Sequence, residues 1–308
     1  MIIGVLGAMI EFRRQHPVFP TRLDPLPSRT QEKEEPPLYL DPAVTPPIFT
    51  SQGVWIFERG SDSLLYSYRA EEATSVASLA KLMTAFVAYE TYDLEDQLTV
   101  GEAAFVEGNR AKFLQTDLFS VRDLLQALLM FSANDAAETL ASGLPEGKAY
   151  FLQRMNTRAE ELGMKHSHFS NPTGLDETGQ YSSAEDIGHL VDTFLEVPFF
   201  EQTVRQTTTQ VTEQRTGRID TIYTTNTMLY RDTQYTGVKT GTTDQAGQSL
   251  VLRIENTWSL PDATGSASLD QPVDIVLVIL GSQDRYLDAS NFAAWLEQAL
   301  RSRKNSVS

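Results

Sequence analysis

Two groups of β-rich segments lie at opposite ends of the foldable part of this sequence, and helical segments occupy the region between them. Over the length of a strand, each β-rich segment either alternates apolar with polar residues or is apolar throughout, and turn residues lie at its ends. They are GVWIFER at 53–59, SLLYSYRA at 63–70, YTGVKTGTT at 235–243, QSLVLRIEN at 248–256 and VDIVLVILGSQ at 273–283. The simplest fold is α+β: one antiparallel β-sheet built from both ends of the domain, flanked by helices, with an α-helical lobe inserted. A cleft between sheet and lobe is the natural place for an active site.

The helical segments are recognised by apolar residues at helix spacing and by capping residues at their ends. They are SLAKLMTAFVAYETY at 78–92, VRDLLQALLMF at 121–131, DAAETLASGL at 135–144, KAYFLQRMNTRAEELG at 148–163, SSAEDIGHLVDTFLE at 182–196 and YLDASNFAAWLEQALRS at 286–302. The polar stretch 257–272, which contains Pro261 and Gly265, predicts a long loop between two of the late strands.

The N-terminal region predicts segments outside the domain. Residues 1–10 are almost entirely apolar but far shorter than the ~20 residues that span a bilayer. They are consistent with a short amphipathic start or with the end of a truncated N-terminal membrane anchor, and we favour the anchor. Residues 11–47 hold nine of the fourteen prolines and predict an extended linker, because proline lacks an amide hydrogen. The domain is then predicted over 48–302, and 303–308 form a tail.

Composition excludes several kinds of function. The net charge of −16 argues against a nucleic-acid partner, which requires a basic face. The absence of cysteine excludes disulfides, thiol catalysis and cysteine-ligated zinc. His166 and His168 lie one residue apart but lack a third ligand at a telling spacing, so no metal site is expected. No histidine has a setting typical of a Ser-His-Asp triad.

Three short motifs could carry chemistry. In SVASLAKLMTA, Ser78 and Lys81 share one face at the start of a helix, where a lysine could deprotonate a serine hydroxyl. In FSANDAAETLA, Ser132 and Asn134 interrupt a helical run that has no glycine or proline. Taken alone, the first is equally consistent with a serine-capped helix bearing an exposed lysine, and the second with a capped helix–helix turn.

The third motif is Lys-Thr-Gly in a predicted strand. Period two puts Lys239 and Gly241 on one face and Thr240 on the other. Glycine inside a strand is costly unless another backbone approaches closely, and an extended peptide bound along the strand would explain it. A hairpin with a loose bulge explains the motif about as well.

Ser-x-x-Lys, Ser-x-Asn and Lys-Thr-Gly in this order form the motif set of β-lactamases and penicillin-binding proteins. The chain resembles the serine D-alanyl-D-alanine carboxypeptidases, which are low-molecular-mass penicillin-binding proteins. The resemblance runs from about Gly53 to Leu300 and also includes LGMKHSHFSNPTGLDETGQYSSAEDIG and TTNTMLY. Alanine at 80 and 133 and glutamine at 180 depart from the usual threonine, glycine and histidine.

The resemblance implies a catalytic set. Ser78 would be the acylated nucleophile and Lys81 its base, and Ser132 would pass a proton toward the leaving amine or Lys239. Asn134 would bind the substrate backbone. The implied substrate-binding residues are Thr240, Gly241, Thr242, Thr243 and Arg285. Of these, Thr240 and Arg285 would hold the substrate carboxylate together with Lys239, and the amide of Thr242 would share the oxyanion with that of Ser78.

The implied activity is removal of the terminal D-alanine from peptidoglycan stem peptides through an acyl-enzyme, with no metal or organic cofactor. β-Lactams would be covalent inhibitors, and the site would lie outside the cytoplasm. The motifs leave two alternatives open: a D,D-endopeptidase that cuts cross-links, and a non-catalytic wall-binding protein with the same fold. A class A β-lactamase is disfavoured, because no Glu-x-x-x-Asn segment follows Asn134.

Overall fold

A computed structural model describes residues 38–61, 63–262 and 268–302. The predicted anchor segment 1–10, most of the predicted linker and the tail 303–308 lie outside the described residues. Over the described part of the chain, no helix combines the length and the apolar character needed to cross a membrane.

Five strands from the two ends of the domain form one antiparallel sheet, in the order β3-β2-β10-β9-β8. These strands are β2 (Gly53–Glu58), β3 (Ser63–Tyr68), β8 (Tyr235–Thr243), β9 (Gly247–Pro261) and β10 (Ser268–Ser282). The predicted α+β architecture is confirmed. Strand β8 pairs on one side with β9 and leaves its other side as a sheet edge, next to the helical lobe.

The predicted loop over 257–272 is wrong for most of its length. Strands β9 and β10 stay paired from Gln248 and Ser282 out to Pro261 and Ser268, so the stretch continues a long hairpin. Trp258 and Leu260 are buried there at alternate positions, 9% and 1% exposed. This period-two burial stabilises strands despite the Pro and Gly that favoured a loop in the sequence.

Within the described ranges, seven α-helices surround the sheet or build the lobe: α1 (Lys81–Thr91), α2 (Val121–Gln126), α3 (Asn134–Ser142), α4 (Gly147–Glu161), α5 (Ala184–Phe194), α6 (Pro198–Val204) and α7 (Arg285–Ala299). A 3₁₀ turn (Ala77–Ala80) precedes α1, and a π-helical turn (Ala127–Phe131) follows α2. The side chain of Ser183 accepts from the Asp186 amide, which confirms the predicted cap of α5.

Short elements outside the main sheet were not expected. The small strands are β4 (Gln97–Thr99), β5 (Leu118–Ser120), β6 (Thr208–Thr212) and β7 (Ile219–Tyr223). The pairs β4–β5 and β6–β7 each form a two-stranded antiparallel sheet. The helix α6 begins at Pro198, a favoured first helical residue.

Two buried clusters stabilise the domain. One unites the lobe helices with one face of the main sheet, where α5 packs on β2 and β10. The other lies on the opposite face of the sheet beneath α7, with Phe292 and Trp295 at its centre. The helix α1 is nearly all buried within the first cluster. The residues that precede and begin α1 are therefore held rigidly between lobe and sheet.

The predicted domain boundary at residue 48 requires correction. Residues Leu38–Leu40 form strand β1, which pairs with β11 (Leu300–Ser302) directly after α7. The Asp41 amide donates to the Ala299 carbonyl at 2.8 Å, and Trp295 Nε1 donates to the Val44 carbonyl at 3.1 Å. Prolines 37 and 42 flank this strand but leave the amides between them free to pair, so part of the predicted linker is packed structure.

Candidate active site

Ser78 and Lys81 lie at the junction of the 3₁₀ turn and α1. Lys81 Nζ is 2.9 Å from Ser78 Oγ and donates a hydrogen bond to it. The turn is tight because Ala77 adopts a left-handed conformation with φ 49°, and Ser78 directly follows it. Ser78 is half-buried, whereas Lys81 is fully buried. The three-residue spacing seen in the sequence therefore places a reachable hydroxyl next to a desolvated amine.

Burial lowers the pKa of Lys81 to about 7, because the charged ammonium cannot be hydrated inside the lobe. The carboxylates of Glu138 and Asp135 act in the opposite direction and raise this pKa. Both carboxylates belong to α3, the helix that begins at Asn134. A lysine with a pKa near neutrality has a large neutral fraction at physiological pH, which is the form able to accept a proton.

The loop after α4 supplies a further partner of Lys81 that no sequence motif indicated. The Thr173 carbonyl accepts a hydrogen bond from Lys81 Nζ, 92 residues away in the sequence. The side chain of Asn171 shapes this loop, because its Oδ1 accepts from the amides of Thr173 and Gly174. The dipeptides Asn-Pro and Thr-Gly within NPTGLD are turn signals, but they do not reveal what the turn contacts.

Gly174 lets this loop approach the 3₁₀ turn that carries Ser78. Its φ of +78° is left-handed, and a Cβ atom there would lie 1.9 Å from the Ala77 carbonyl oxygen. No side chain fits at that distance, so the loop backbone and the turn backbone are in direct contact.

Ser132 and Asn134 form the lobe side of the site. Ser132 has a left-handed backbone with φ 64°, where the π-helical turn ends and before α3 begins. Its Oγ is buried and has no hydrogen-bond partner among the described residues. Asn134 Nδ2 donates to the Glu107 carbonyl at 2.6 Å. Within the described ranges, no hydrogen bond joins either residue to Ser78 or Lys81.

Strand β8 forms the opposite side of the site. A Cβ atom on Gly241 would lie 2.9 Å from the Ser78 amide nitrogen and 3.2 Å from the Val76 carbonyl. The close backbone approach expected from this glycine is thus present, but it comes from the 3₁₀ turn around Ser78 of the same chain. Lys239 is 1% exposed and faces the same side, as period two predicts.

The charge of Lys81 affects the protonation of Lys239. Burial lowers the pKa of Lys239 well below its ordinary value, and the positive charges of Lys81 and Arg285 lower it further. Two ammonium groups in one desolvated region repel each other, so a charge on Lys81 makes protonation of Lys239 less favourable. Lys239 Nζ donates to the Thr240 carbonyl at 3.0 Å.

The remaining residues predicted to bind substrate form hydrogen bonds with other groups of the chain. The Thr240 hydroxyl points away from Ser78 and hydrogen-bonds to the Thr225 hydroxyl at 2.7 Å. Arg285 Nη1 donates to the Gly241 carbonyl at 2.7 Å, and its other terminal nitrogen donates to the Thr242 hydroxyl. The Thr243 hydroxyl donates to Asp176, a residue that the sequence analysis did not single out. Arg285 therefore reaches β8 from the start of α7.

A cleft of about 650 Å³ opens beside the pair of Thr242 and Thr243. Its other walls come from α3, from Glu107 and from the loop around Asn171. The site thus lies between lobe and sheet, where the sequence predicted a cleft.

The two histidines that lie one residue apart, His166 and His168, are held by hydrogen bonds to nearby groups of the chain. His168 Nδ1 lies 2.7 Å from the Gly179 carbonyl, and its backbone pairs with Tyr181. His166 is held through its amide, which donates to the Asp186 carboxylate at 2.7 Å. Across the described residues, no three histidine, aspartate or glutamate side chains group as metal ligands.

Comparison with solved structures identifies the class of fold. The Streptomyces K15 DD-transpeptidase superposes on the chain with a TM-score of 0.72 at 25% identity, covering 82% of this chain and 98% of that one. The sheet and the inserted helical lobe thus have the fold of the penicillin-binding DD-peptidases.

A family model described as D-alanyl-D-alanine carboxypeptidase, peptidase family S11, matches residues 41–259. The carboxypeptidase of Streptomyces sp. strain K15 is 30% identical, over 68% of this chain and 78% of its own length. The chain belongs to the D-alanyl-D-alanine carboxypeptidase family of serine peptidases.

Two further relatives differ in how much of them the chain spans. D-alanyl-D-alanine carboxypeptidase DacF of Bacillus subtilis is 30% identical over 63% of this chain, but the chain spans only 51% of DacF. The D-alanyl-D-alanine endopeptidase of Escherichia coli is 29% identical over 82% of this chain and 78% of its own length.

Proposed function

We propose that this protein is a serine D,D-carboxypeptidase that removes the terminal D-alanine from peptidoglycan stem peptides. The observation that carries the proposal is the hydrogen bond of 2.9 Å between Ser78 and a fully buried Lys81. A non-catalytic wall-binding protein would have no use for a desolvated lysine, whose burial costs stability.

Acylation would begin with transfer of the Ser78 hydroxyl proton to neutral Lys81 while Oγ attacks the peptide carbonyl. The developing oxyanion would be bound by the amides of Ser78 and Thr242; Gly241, which directly precedes Thr242, packs against the Ser78 amide. The unpartnered hydroxyl of Ser132 is free to relay a proton to the leaving D-alanine amine. Water would then attack the acyl-enzyme, with Lys81 again acting as base.

The substrate carboxylate would be attracted by the Arg285 guanidinium on the sheet side of the site, and Lys239, whose pKa burial lowers, would contribute as a hydrogen-bond donor. Local positive charge is required there, since a net charge of −16 repels an anionic peptide at long range. Thr240 is a weaker candidate for direct contact, because its hydroxyl already bonds to Thr225. Asn134 would present its side-chain carbonyl to the substrate backbone, since its amide group is used by Glu107.

D,D-endopeptidase activity on cross-links is the second candidate function. The endopeptidases of Escherichia coli and Pseudomonas aeruginosa match 82% and 79% of this chain and 78% and 76% of their own lengths. Both activities break a bond to a D-alanine carbonyl through the same acyl-enzyme. They differ in the size of the leaving amine, which the open cleft beside Thr242 could accommodate.

An extracytoplasmic location follows from this substrate, because cross-linked peptidoglycan lies outside the cytoplasmic membrane. The apolar segment 1–10 would serve as the end of an N-terminal anchor, and the proline-rich residues up to 37 would distance the domain from the bilayer. No cofactor is required by the proposed chemistry, since the nucleophile, base and oxyanion donors all come from the chain.

Covalent labelling with a fluorescent penicillin tests the catalytic assignment. We expect intact mass spectrometry to show one added drug mass on the peptide containing Ser78, and no adduct in Ser78→Ala. An adduct that persists in Ser78→Ala would refute the nucleophile.

Product analysis separates the two activities. Incubation with stem pentapeptides should release D-alanine, whereas an endopeptidase would convert cross-linked muropeptide dimers to monomers. Dimer cleavage without D-alanine release would favour the second candidate.

A further inference from the structure

Asp176 joins three segments of the site that are distant in the sequence. Its Oδ1 accepts hydrogen bonds from the hydroxyl of Ser75 at 3.0 Å and from that of Thr243 at 2.6 Å. Its Oδ2 accepts from the amide of Gln245 at 3.2 Å. Ser75 lies three residues before the nucleophile, and Thr243 directly follows Thr242. One carboxylate therefore ties the segment leading to Ser78 to the end of strand β8.

The position of β8 matters because the two amides proposed to bind the oxyanion belong to different segments. The Ser78 amide belongs to the 3₁₀ turn, and the Thr242 amide belongs to β8. Donors of an oxyanion hole must lie about 2.7–3.1 Å from the oxygen. A small shift of strand β8 relative to the 3₁₀ turn therefore weakens the hydrogen bonds from these two amides to the oxyanion. Packing of Gly241 against the Ser78 amide limits how closely the strand can approach.

Hydrogen bonds on both sides of Thr242 hold strand β8 to neighbouring segments. On one side, Arg285 donates to the Gly241 carbonyl and to the Thr242 hydroxyl. On the other side, Thr243 donates to Asp176. The Gly241 contact prevents closer approach, and the Asp176 contacts prevent the strand from moving away from the segment that carries Ser78.

We propose that Asp176 is a positioning residue that sets the spacing between the oxyanion-binding amides of Ser78 and Thr242. It acts through Ser75 and Thr243 without touching the reacting atoms. This inference rests on the proposed function, because it assumes that an acyl-enzyme forms at Ser78.

The test compares acylation by a penicillin in four single variants of the full chain and in one double variant, which combines Asp176→Ala with Thr243→Val. Asp176→Ala removes all three acceptor contacts, whereas Asp176→Asn keeps one oxygen that can accept from Ser75 and Thr243. Thr243→Val removes a single hydroxyl with little change of shape and covers the case in which Asp176→Ala does not fold. Asp244→Asn is the matched control, because it removes an exposed carboxylate one residue beyond Thr243.

We expect the acylation rate to fall about tenfold in Asp176→Ala and in Thr243→Val, less than the 10²–10³ that loss of a whole oxyanion donor costs. The double variant should be no slower than Asp176→Ala, because both changes break the same hydrogen bond. Asp176→Asn should recover most of the rate, and Asp244→Asn should stay within about twofold of the unaltered chain.

Infrared spectroscopy of the acyl-enzyme, with the drug carbonyl labelled with ¹³C, distinguishes positioning from a purely structural role. Weaker oxyanion hydrogen bonds should raise the carbonyl stretching frequency in Asp176→Ala or Thr243→Val. An unchanged frequency and rate would overturn the inference while leaving the adduct, and so the proposed function, intact. An equal effect of Asp244→Asn would also overturn it, by showing that cleft charge alone is responsible. Absence of an adduct in the unaltered chain would overturn both.

Discussion

The pH dependence of acylation is the most direct measure of the role proposed for Lys81. Only the neutral amine can accept the Ser78 proton, so the acylation rate should follow the neutral fraction of Lys81. Burial lowers its pKa to about 7 from an ordinary value of 10.5. At pH 7 about half of the molecules then carry a neutral amine, whereas an ordinary lysine would be neutral in only about one of 3,000.

The predicted profile follows from these fractions. Between pH 6 and 7.5 the neutral fraction of a group with a pKa of about 7 rises from about 0.09 to about 0.76, so the acylation rate should increase about eightfold. Above about pH 8.5 the rate should be flat. An unperturbed lysine would instead give a rise of about tenfold per pH unit through this entire range.

The assay is the second-order rate constant for acylation by a fluorescent penicillin, measured by stopped flow from pH 5.5 to 9.5. This constant reports the pKa of the free enzyme. Glu138→Gln removes a charge that raises the pKa of Lys81, so the midpoint should move to lower pH. Glu161→Gln, at the exposed end of α4, serves as the control and should leave it unchanged. A rate that still climbs tenfold per unit at pH 9 would refute the role of burial.

Three further predictions concern binding and stability. Arg285→Ala should slow turnover of a D-Ala-D-Ala peptide more than that of its C-terminal amide, and equal losses would show that Arg285 only supports β8. A chain that starts at residue 48 should have a lower thermal midpoint than one that starts at 38, because burial of strand β1 contributes at least ~2 kcal/mol; identical midpoints would contradict this packing. Gly174→Ala should abolish penicillin labelling, because its Cβ atom would lie 1.9 Å from a backbone oxygen. The control Gly163→Ala also has a left-handed φ, +73°, but lies in open space, so it should keep labelling and lower the free energy of unfolding, measured with denaturant, by only ~1 kcal/mol.

Local patterns in the sequence were sufficient for the main sheet and for most of the helical lobe. Strand and helix periodicity arise from which faces are buried, and each pattern is complete within about ten residues. The same holds for the Ser78–Lys81 pair, because both members lie on consecutive turns of one short segment. The motif order then indicated that β8 and the turn after α2 belong to the same site.

Local patterns also failed where burial came from distant partners. Local patterns predict a linker at Leu38–Leu40 because prolines surround it, whereas its strand partner β11 lies some 260 residues later. They predict a loop over 257–272, although pairing of β9 with β10 and burial of Trp258 make most of it strand.

The tertiary structure alone decided how the site is assembled around Lys81. The Thr173 carbonyl lies 92 residues from Lys81 in the sequence, and Asp176 lies 101 residues from Ser75 and 67 from Thr243. Hydrogen bonds over such separations leave no periodic pattern in a single sequence, because each partner is an ordinary polar residue of a turn. The lowered pKa of Lys81 also depends on the whole lobe, since desolvation comes from every side chain that excludes water from the amine.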